Sequence, residues 1–499
     1  MDRRRFLLAS AATAVSLRTF AQQAAPATAA LTLHPETPGA VIPANFVGLS
    51  YETQQLSDPA FFSPKNTGLV AQFRALAPHG VLRIGGNTSD VGWWKPTPTS
   101  EHPPLPANVT LITPPGEKSP MDLAYAVTPE AVRNLRAFLD ATGWTCLYGI
   151  NLGSSTPERA ADEAAFVAKT LEAKLEYFQL GNEPDGFPRR FREKAKWNAD
   201  AYLNDWLAAA NAIRARVPNA RFGLPDVASN AAWFLPIATR LAELHDAPNI
   251  AAISHHYYFT GPPSNPKANL TDVLKADPKV LRNADLARTA AAKLKTRFRM
   301  TEGNTCYRGG KPGVSDVFGA ALWAADYLLL LASLGYAGVN LHGGSGKAVA
   351  DSLGGTLPGE LLMPDSKAPH PRPFYTPIAE IDGHYTLEPI AYGMMFAQKF
   401  SGATMIPITF DPGPVNATAY AAQGANHTKL IAIINKDAQQ DLHIDLNHDE
   451  AASPRFRAAW TLTAPSLEAH TATLAAASTT GSTFTVPRSS ATLFIRPPR

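Results

Sequence analysis

Residues 175–185 read LEYFQLGNEPD, a short apolar run followed directly by a polar cluster. Comparable runs recur from about residue 46 to residue 344, separated by longer segments of helical character. Those predicted to be strands are 46–52, 81–85, 145–152, 175–180, 222–225, 250–258, 298–302 and 338–342. Strands that alternate with helices are typical of a parallel sheet. Eight such units favour a (β/α)8 TIM barrel over a doubly wound sheet, which usually has fewer strands and a glycine-rich phosphate turn.

The sequence pattern changes after about residue 402. Short alternating runs, separated by Gly, Pro, Asn and Asp, cover 403–410, 417–422, 430–435, 442–446, 456–462 and 490–495. This pattern is typical of an antiparallel β-sandwich. We therefore predict an α/β chain with a catalytic barrel over 44–401 and a smaller all-β sandwich over 402–499. Residues 22–43 are expected to supply an additional strand that crosses over to the sandwich.

The first 21 residues are interpreted as an export signal. Arg3, Arg4 and Arg5 precede a short apolar run, which resembles a twin-arginine leader; an ordinary secretory signal is the alternative. Either predicts a periplasmic or extracellular protein. A second apolar run, 317–334, is interrupted by Asp326 and is interpreted as a buried packing helix rather than a membrane span.

Composition narrows the classes of partner. Of the 499 residues, 45% are apolar and 17% charged, which argues against disorder, and two cysteines are too few for a disulfide scaffold or a cysteine metal cluster. Beyond residue 21 there are 41 basic and 41 acidic residues, so no global field favours nucleic acid or an anionic membrane. His255 and His256 point to opposite faces of a strand, and no third ligand accompanies them. We therefore predict no metal, no cofactor, and a small or neutral ligand.

Two carboxylates are the strongest candidates for chemistry. Glu183 directly follows the fourth predicted strand and Glu302 ends the seventh. In a TIM barrel these strand ends meet at one mouth. Two facing carboxyl groups are what glycoside hydrolysis requires, one as proton donor and the other as nucleophile or base. Taken singly, either residue has the alternative interpretation of a loop carboxylate or a helix N-cap neighbour.

The motifs around these residues resemble a known group of enzymes. Asn182-Glu183-Pro184 together with Glu302 resembles the retaining glycoside hydrolases built on (β/α)8 barrels. More narrowly, LRIGG at 82–86, HHYY at 255–258 and the Tyr-x-Gly-Gly element at 307–310 resemble the family of β-glucuronidases and heparanases, glycoside hydrolase family seventy-nine. The resemblance covers the barrel and the trailing sandwich. It implies that Glu183 is the general acid/base and Glu302 the nucleophile, with carboxyl groups roughly 5 Å apart.

The resemblance also implies roles for neighbouring residues. Asn182 corresponds to the residue that bonds the sugar 2-hydroxyl. Independently of the resemblance, Arg83 has the same strand-face parity as Gly85 and Asn87, so it is expected near Glu302, where it would keep that carboxylate ionised; a salt-bridge residue within a barrel layer is the alternative. His255 and Tyr257 share one face of their strand. We expect that face to line the barrel lumen with Tyr257 near the nucleophile, and a face turned toward the helices is the alternative.

Recognition of a uronic acid is expected in the turn after Glu302. In the family, a tyrosine hydroxyl and backbone N–H groups meet the carboxylate, which corresponds here to Tyr307, Gly309 and Gly310. Consecutive glycines let N–H groups converge on an anion, and a plain glycine turn is the alternative. Arg308 stands where heparanase-like sequences have the first of three glycines, which puts the identity of the donor in question. Further residues implied to contact the sugar are Glu52, Asn87 and Tyr375.

The sequence thus predicts an exported, cofactor-free exo-acting β-glucuronidase that releases terminal glucuronic acid from glycans or glycoconjugates. An endo-acting heparanase-like hydrolase is the first alternative, but an open cationic cleft fits poorly with the balanced charge and with the long segment 347–385. Another glycosidase activity, such as that of an arabinofuranosidase or xylosidase, is the second. A non-catalytic carbohydrate-binding protein is the third, and the presence of both carboxylates argues against it.

Overall fold

The computed structural model describes residues 28–363, 372–447 and 454–498. The interpretation of residues 1–21 as an export signal lies outside these ranges and stays a prediction. Within them, no helix combines the length and apolar character that crossing a lipid bilayer requires.

The described strands and helices follow one another along the whole chain. The strands are β1 (Thr28–Leu33), β2 (Val47–Glu52), β3 (Val81–Gly85), β4 (Gly92–Trp94), β5 (Tyr125–Val127), β6 (Thr145–Ile150), β7 (Leu175–Leu180), β8 (Arg221–Val227), β9 (Asn249–Thr260), β10 (Arg297–Cys306), β11 (Val339–Gly343), β12 (Ile378–Ile381), β13 (His384–Leu387), β14 (Thr404–Ile406), β15 (Ile408–Asp411), β16 (Ala417–Gln423), β17 (Lys429–Asn435), β18 (Leu442–Asp445), β19 (Arg457–Thr463), β20 (Thr473–Ala476), β21 (Thr483–Val486) and β22 (Ser490–Arg496). The α-helices are α1 (Thr67–Leu76), α2 (Pro129–Thr142), α3 (Pro157–Leu171), α4 (Ala199–Arg216), α5 (Phe234–Glu243), α6 (Leu270–Val273), α7 (Pro278–Lys293), α8 (Phe318–Ser333), α9 (Gly346–Ser352) and α10 (Pro389–Gln398).

Eight parallel strands close into a barrel in the order β2-β3-β6-β7-β8-β9-β10-β11, and β11 pairs with β2 to complete the ring. Every residue of β2 and of β3 is buried, as expected for strands covered by helices outside and by side chains within. The predicted TIM barrel is confirmed. Because all eight strands run the same way, their carboxyl ends meet at one mouth.

Local sequence signals start and end the helices between these strands. Thr128 and Thr156 cap α2 and α3 by accepting hydrogen bonds from backbone N–H groups, and a proline follows each of them. Gly143 ends α2 with a φ of 80°, a conformation that a side chain would make costly. These short, well-defined connections bring each helix back against the barrel.

Two further sheets form the sandwich. One has the order β15-β1-β18-β21 and the other β14-β16-β17-β22-β19-β20. The N-terminal β1 pairs antiparallel with β15 and parallel with β18, so the chain before the barrel contributes to the sandwich. The predicted run 403–410 is two strands, because Pro407 has no N–H for a continuous ladder. The exact domain limits proposed from sequence stay predictions.

The buried helix predicted over 317–334 is confirmed as α8, and its single acidic residue joins the two domains. Asp326 accepts hydrogen bonds from Thr418 at 2.7 Å and from Tyr420 at 2.6 Å, and it pairs with Lys436. All three partners belong to the sandwich or its loops. A charge in an otherwise apolar helix is thus compensated by the neighbouring domain.

Candidate active site

Arg83 lies at the centre of the barrel mouth with 1% of its surface exposed. Its guanidinium donates to Oε2 of Glu302 at 2.6 Å, Oδ2 of Asp226 at 2.6 Å, Oδ1 of Asn182 at 2.7 Å, Oε1 of Gln179 at 3.0 Å and Oγ of Ser50 at 3.1 Å. Gly85, two residues along the same strand face, leaves the space for this group, because a Cβ there would lie 2.3 Å from Cζ of Arg83. A single arginine therefore organises both an acidic pair and the amides beside it.

Glu302 is held as an anion. Its Oε2 accepts from Arg83, and its Oε1 accepts from the Tyr258 hydroxyl at 2.8 Å. Burial alone would raise the pKa of this carboxyl, but the positive charges of His342, His256 and Arg83 outweigh that effect and lower the pKa to about 2. An ionised carboxylate at neutral pH is the state a nucleophile needs.

Glu183 experiences the opposite balance. Burial raises the pKa of its carboxyl above the usual 4.5, even though His256 lies 2.9 Å from Oε1 and acts in the other direction. The residue has a φ of 49°, an uncommon conformation that tends to occur at functional sites, and its N–H donates to the carbonyl of Asp226 at 3.1 Å. One carboxylate oxygen of Glu183 lies within 4.8 Å of a carboxylate oxygen of Glu302.

His256 lies between the carboxylates of Glu183 and Glu302 and a third carboxylate, that of Asp226. Its Nδ1 faces Glu183, and its Nε2 lies 3.1 Å from Oδ2 of Asp226. Burial would lower the pKa of the imidazole, but the charges of Asp226 and Glu302 raise it to about 10. Asp226 also accepts from Gln179 at 2.7 Å and from the Thr301 hydroxyl, and its own pKa is held well below the usual range. The imidazole is therefore a cation at neutral pH.

The grouping of Glu183, His256 and Glu302 also places possible metal ligands close together. A metal would need a neutral imidazole with a free nitrogen. Both nitrogens of His256 face carboxylates, its pKa favours the protonated form, and Arg83 adds a second positive charge. The chemistry of this donor set fits a hydrogen-bonded ion network better than a divalent cation.

The expectation that His255 and Tyr257 face the lumen is wrong. Nε2 of His255 lies 2.8 Å from the Tyr336 hydroxyl, and the Tyr257 hydroxyl donates to Asp277 at the start of α7. Both side chains therefore point toward the helices.

His256 and Tyr258 occupy the lumen face instead. The prediction that alternate residues of β9 share a face is confirmed, but the pair assigned to the lumen is wrong. An irregularity in β10 between Met300 and Glu302 sets Glu302 beside His256 rather than Tyr257. Ile253, which shares the face of His255, packs in the apolar cluster under the helices, and this environment is visible only in the structure.

The structure brings Asn182, Asn87 and Glu52 to the same mouth. Nδ2 of Asn182 donates to Oδ1 of Asn87 at 3.2 Å, and its backbone N–H donates to Asp90 at 2.9 Å. Glu52 is buried, and its Oε2 accepts from both the N–H and the hydroxyl of Thr88. These positions are compatible with contacts to sugar hydroxyls, which stay a prediction.

His342 lies between Glu52 and Glu302. Its Nε2 lies 3.3 Å from Oε1 of Glu52, and its Nδ1 lies 3.7 Å from Oε2 of Glu302. Burial would lower the pKa of His342, but the charge of Glu302 and the hydrogen bond to Glu52 raise it. Glu52 therefore influences Glu302 through this imidazole.

The turn after β10 carries the residues expected to meet a uronate. Arg308, Gly309 and Gly310 have φ values of 64°, 86° and 85°, and in the described chain none of their N–H groups has a hydrogen-bond acceptor. A Cβ at Gly310 would lie 2.7 Å from the backbone nitrogen of Tyr375. The Arg308 side chain turns away to Glu117, at 3.4 Å. Successive unpaired N–H groups in such a turn can bind an anion.

Two aromatic rings flank this turn. Tyr307 is 39% exposed, and its ring centroid lies 6.4 Å from that of Tyr258. The ring centroid of Tyr375 lies 6.2 Å from that of the same Tyr258. Tyr375 is buried and also packs 5.7 Å from His342. Both predicted residues thus lie next to the tyrosine that contacts Glu302, and their contacts with substrate stay a prediction.

Sequence reasoning missed or misplaced several members of the site. Asp90 and Asp226 were not predicted at all, and His256 and Tyr258 were assigned to the face turned toward the helices. His342 ends the eighth predicted strand, so the strand-end rule marked it, but no role was predicted for it. Asp226 directly follows the fifth predicted strand, so the strand-end rule applied to it as well as to Glu183. Asp90, which accepts from the N–H groups of Leu152, Gly153 and Asn182, gave no such signal because it lies in the short 3-10 helix Asn87–Val91, beyond the end of β3.

No family model matches the chain. A curated β-glucuronidase of Aspergillus niger is 28% identical over 312 residues, covering 58% of this chain and 55% of that protein. A β-glucuronidase of Neurospora crassa is 26% identical over 294 residues, covering 53% and 50%. The chain thus spans about half the length of the curated relatives it matches.

Solved structures share the fold across nearly the whole chain. A 4-O-α-L-rhamnosyl-β-D-glucuronidase from Fusarium oxysporum has a TM-score of 0.67 at 17% identity, covering 93% of this chain and 98% of that one. A family 51 arabinofuranosidase from Xanthomonas axonopodis has a TM-score of 0.63 at 15% identity, covering 94% and 99%. At such identities these matches show the fold alone. Together with the curated relatives, they support a glycoside hydrolase.

Proposed function

We propose that this chain is a retaining exo-β-glucuronidase that hydrolyses terminal β-linked glucuronic acid. The observation that carries the proposal is the pair Glu183 and Glu302, with oxygens within 4.8 Å of each other and pKa values shifted in opposite directions. Retaining glycosidases have carboxyl groups about 5–5.5 Å apart, whereas inverting enzymes need about 6.5–9.5 Å to admit a water molecule. The short separation favours retention.

The proposed reaction has two steps. Glu302 attacks the anomeric carbon while the glycosidic C–O bond breaks, and the proton of Glu183 passes to the leaving oxygen. In the second step Glu183 takes a proton from water, the water oxygen attacks the same carbon, and Glu302 departs. His256, 2.9 Å from Glu183, stabilises the carboxylate that exists between the two steps.

The choice of glucuronate rests on two kinds of support. The curated relatives are named β-glucuronidases. The turn 308–310 offers backbone N–H groups without acceptors in the described chain, next to the exposed Tyr307. A sugar carboxylate is the anion that this turn would receive. Glycans or glycoconjugates ending in glucuronate are therefore the proposed substrates.

Exo action is supported by loops that meet over the mouth. The carbonyl of Ser352, in the segment after β11, accepts from Asn87 at 3.3 Å and from Arg190 at 2.9 Å. Glu117 in turn contacts Arg308 and Arg190, which belong to two further loops. Such contacts close the ends of a groove, so they favour a pocket for a chain terminus over the open cleft of an endo-acting heparanase-like enzyme.

A panel of aryl β-glycosides tests the proposal. The glucuronide should be cleaved far faster than the glucoside, galactoside or xyloside, and proton NMR should show the β-anomer as the first product. Preference for a neutral sugar, including an aryl arabinofuranoside, would remove the uronate assignment and favour the activity of the arabinofuranosidase neighbours. Cleavage of long sulfated chains alone would favour endo action, and no turnover at all would favour a binding protein.

A further inference from the structure

A cavity of about 380 Å³ lies beside the barrel mouth, between the loop after β3 and the start of α3. Neither Glu183 nor Glu302 lines it. The loop 151–154 separates the two sites, since Asp90 bonds the N–H groups of Leu152 and Gly153 on one side and Asn182 on the other. The volume lies within the range of small-molecule sites, about 300–1,000 Å³.

Two adjacent tryptophans form an aromatic wall of this cavity. Trp93 and Trp94 are half-buried on β4, and both line the cavity. Trp94 is backed by Phe166, with ring centroids 5.1 Å apart, and Trp93 is met edge-on by His102 at 5.5 Å. Rings held in place by neighbours provide a flat apolar surface at little cost in conformational entropy.

The floor carries an acidic group that has a free acceptor. Glu163 is 8% exposed and lines the cavity, and its Oε1 accepts from the Tyr148 hydroxyl at 2.9 Å. No residue in the described ranges donates to its Oε2. This oxygen is not fully enclosed by protein atoms, so it is open to accept a hydrogen bond from a ligand in the cavity. Burial also raises the pKa of this carboxyl to about 7.

The charges around the cavity indicate the kind of ligand. Glu101, Glu158 and Asp162 line the rim together with Arg159 and Arg216, and Arg216 pairs with Asp162 at 2.7 Å. An acidic excess over a buried carboxyl disfavours a uronate or any other anion.

A positive charge already lies near this wall, because Nζ of Lys95 is 5.8 Å from the centroid of the Trp93 ring. Together with the charges of Arg159 and Arg216 on the rim, it repels a cationic amine.

We propose that this cavity binds a neutral pyranose, separately from the catalytic site. A pyranose ring has a C–H face that stacks on tryptophan and hydroxyl groups that donate to carboxylates such as Glu163. The cavity would therefore hold the uncharged part of a glycan while the mouth of the barrel receives its charged terminus. The inference goes beyond the proposed function, because binding here does not require that any bond is cleaved.

Titration calorimetry with neutral gluco-, galacto- and xylo-oligosaccharides tests this inference on the full chain. At least one series should bind, and Trp93→Ala should weaken that binding tenfold or more. Glu163→Leu, which retains bulk and removes the acceptor, should also weaken it. Trp233→Ala is the matched control, since Trp233 is a half-buried tryptophan beside Tyr202 that does not line the cavity. Thermal melting establishes that each variant is folded.

Several outcomes would overturn the inference. These are no binding of any neutral series at millimolar concentration, equal weakening by Trp93→Ala and Trp233→Ala, or tighter binding of glucosamine oligomers than of neutral ones. Trp93→Ala should leave turnover of a small aryl glucuronide unchanged. Because binding is measured directly, a chain that binds neutral sugars but cleaves no glucuronide would refute the proposed function and leave this inference standing.

Discussion

Replacing Arg83 by methionine should move the acid limb of the pH profile upward. Arg83 contacts Glu302 and Asp226 at 2.6 Å each, and all three side chains are buried. Methionine fills much of the same volume but carries no charge and no donor. The substitution therefore removes one of the positive charges that lower the pKa of Glu302.

The size of the effect follows from the contacts. One opposite charge at hydrogen-bond distance lowers a carboxyl pKa by about 1–3 units. The pKa of Glu302, about 2 with Arg83 present, should therefore rise to between about 3 and 5 in Arg83→Met. The two carboxylates left buried should also lower the free energy of unfolding by about 3–5 kcal/mol.

The assay is kcat/KM for an aryl glucuronide as a function of pH, because that quantity reports the free enzyme. Short exposures to acid separate titration from unfolding, and a melting curve at each pH establishes the folded range. Arg299→Met is the matched control. Arg299 is another buried barrel arginine, bonded to Asn340 at 2.8 Å and not to Glu183 or Glu302, so its loss should destabilise the fold without moving the acid limb.

An acid limb that stays in place in Arg83→Met would refute the reasoning, and so would an equal shift in Arg299→Met. If Arg83→Met does not fold, Arg83→Lys is the second variant. Lysine keeps the charge but cannot span both carboxylates with a planar fork, so we expect a smaller upward shift in the same direction.

Three further predictions concern the acid, the histidine and the domain contact. Glu302→Ala should abolish turnover, whereas Glu183→Ala should retain activity on substrates with good leaving groups; equal residual activity on good and poor ones would contradict the assignment. His256 has a folded pKa of about 10 against 6.5 ordinarily, so the folded state binds more protons between these values and the melting temperature should fall as pH rises through that window. His256→Gln should flatten this slope, which calorimetry checks. Asp326→Ala leaves Lys436 buried without its carboxylate partner and should cost about 3–5 kcal/mol of unfolding free energy, measured by denaturant titration.

The positions of the catalytic candidates followed from simple patterning. Glu183 and Glu302 stand at the ends of apolar runs, and a barrel of parallel strands has to bring such ends to one mouth. Arg83 was expected beside Glu302 from its parity along β3, and the two side chains do meet. In each case the inference needed only the direction of a strand and the alternation of its side chains.

Which face of β9 lines the barrel lumen did not follow from patterning. Alternation relates His255 to Tyr257 and His256 to Tyr258, but it does not say which pair faces inward. That choice depends on the irregularity in β10 and on the apolar environment of Ile253 outside the barrel. Neither is a local property of the strand.

The sequence by itself determined the class of fold, the strand ends and the two carboxylates, because these depend on periodicity and chain direction. Only the tertiary structure decided which face of β9 lines the mouth and how Asp226, His256 and Arg83 distribute charge between Glu183 and Glu302. The physical reason is that a pKa depends on burial and on charges a few ångströms away, and these come from residues distant in the chain.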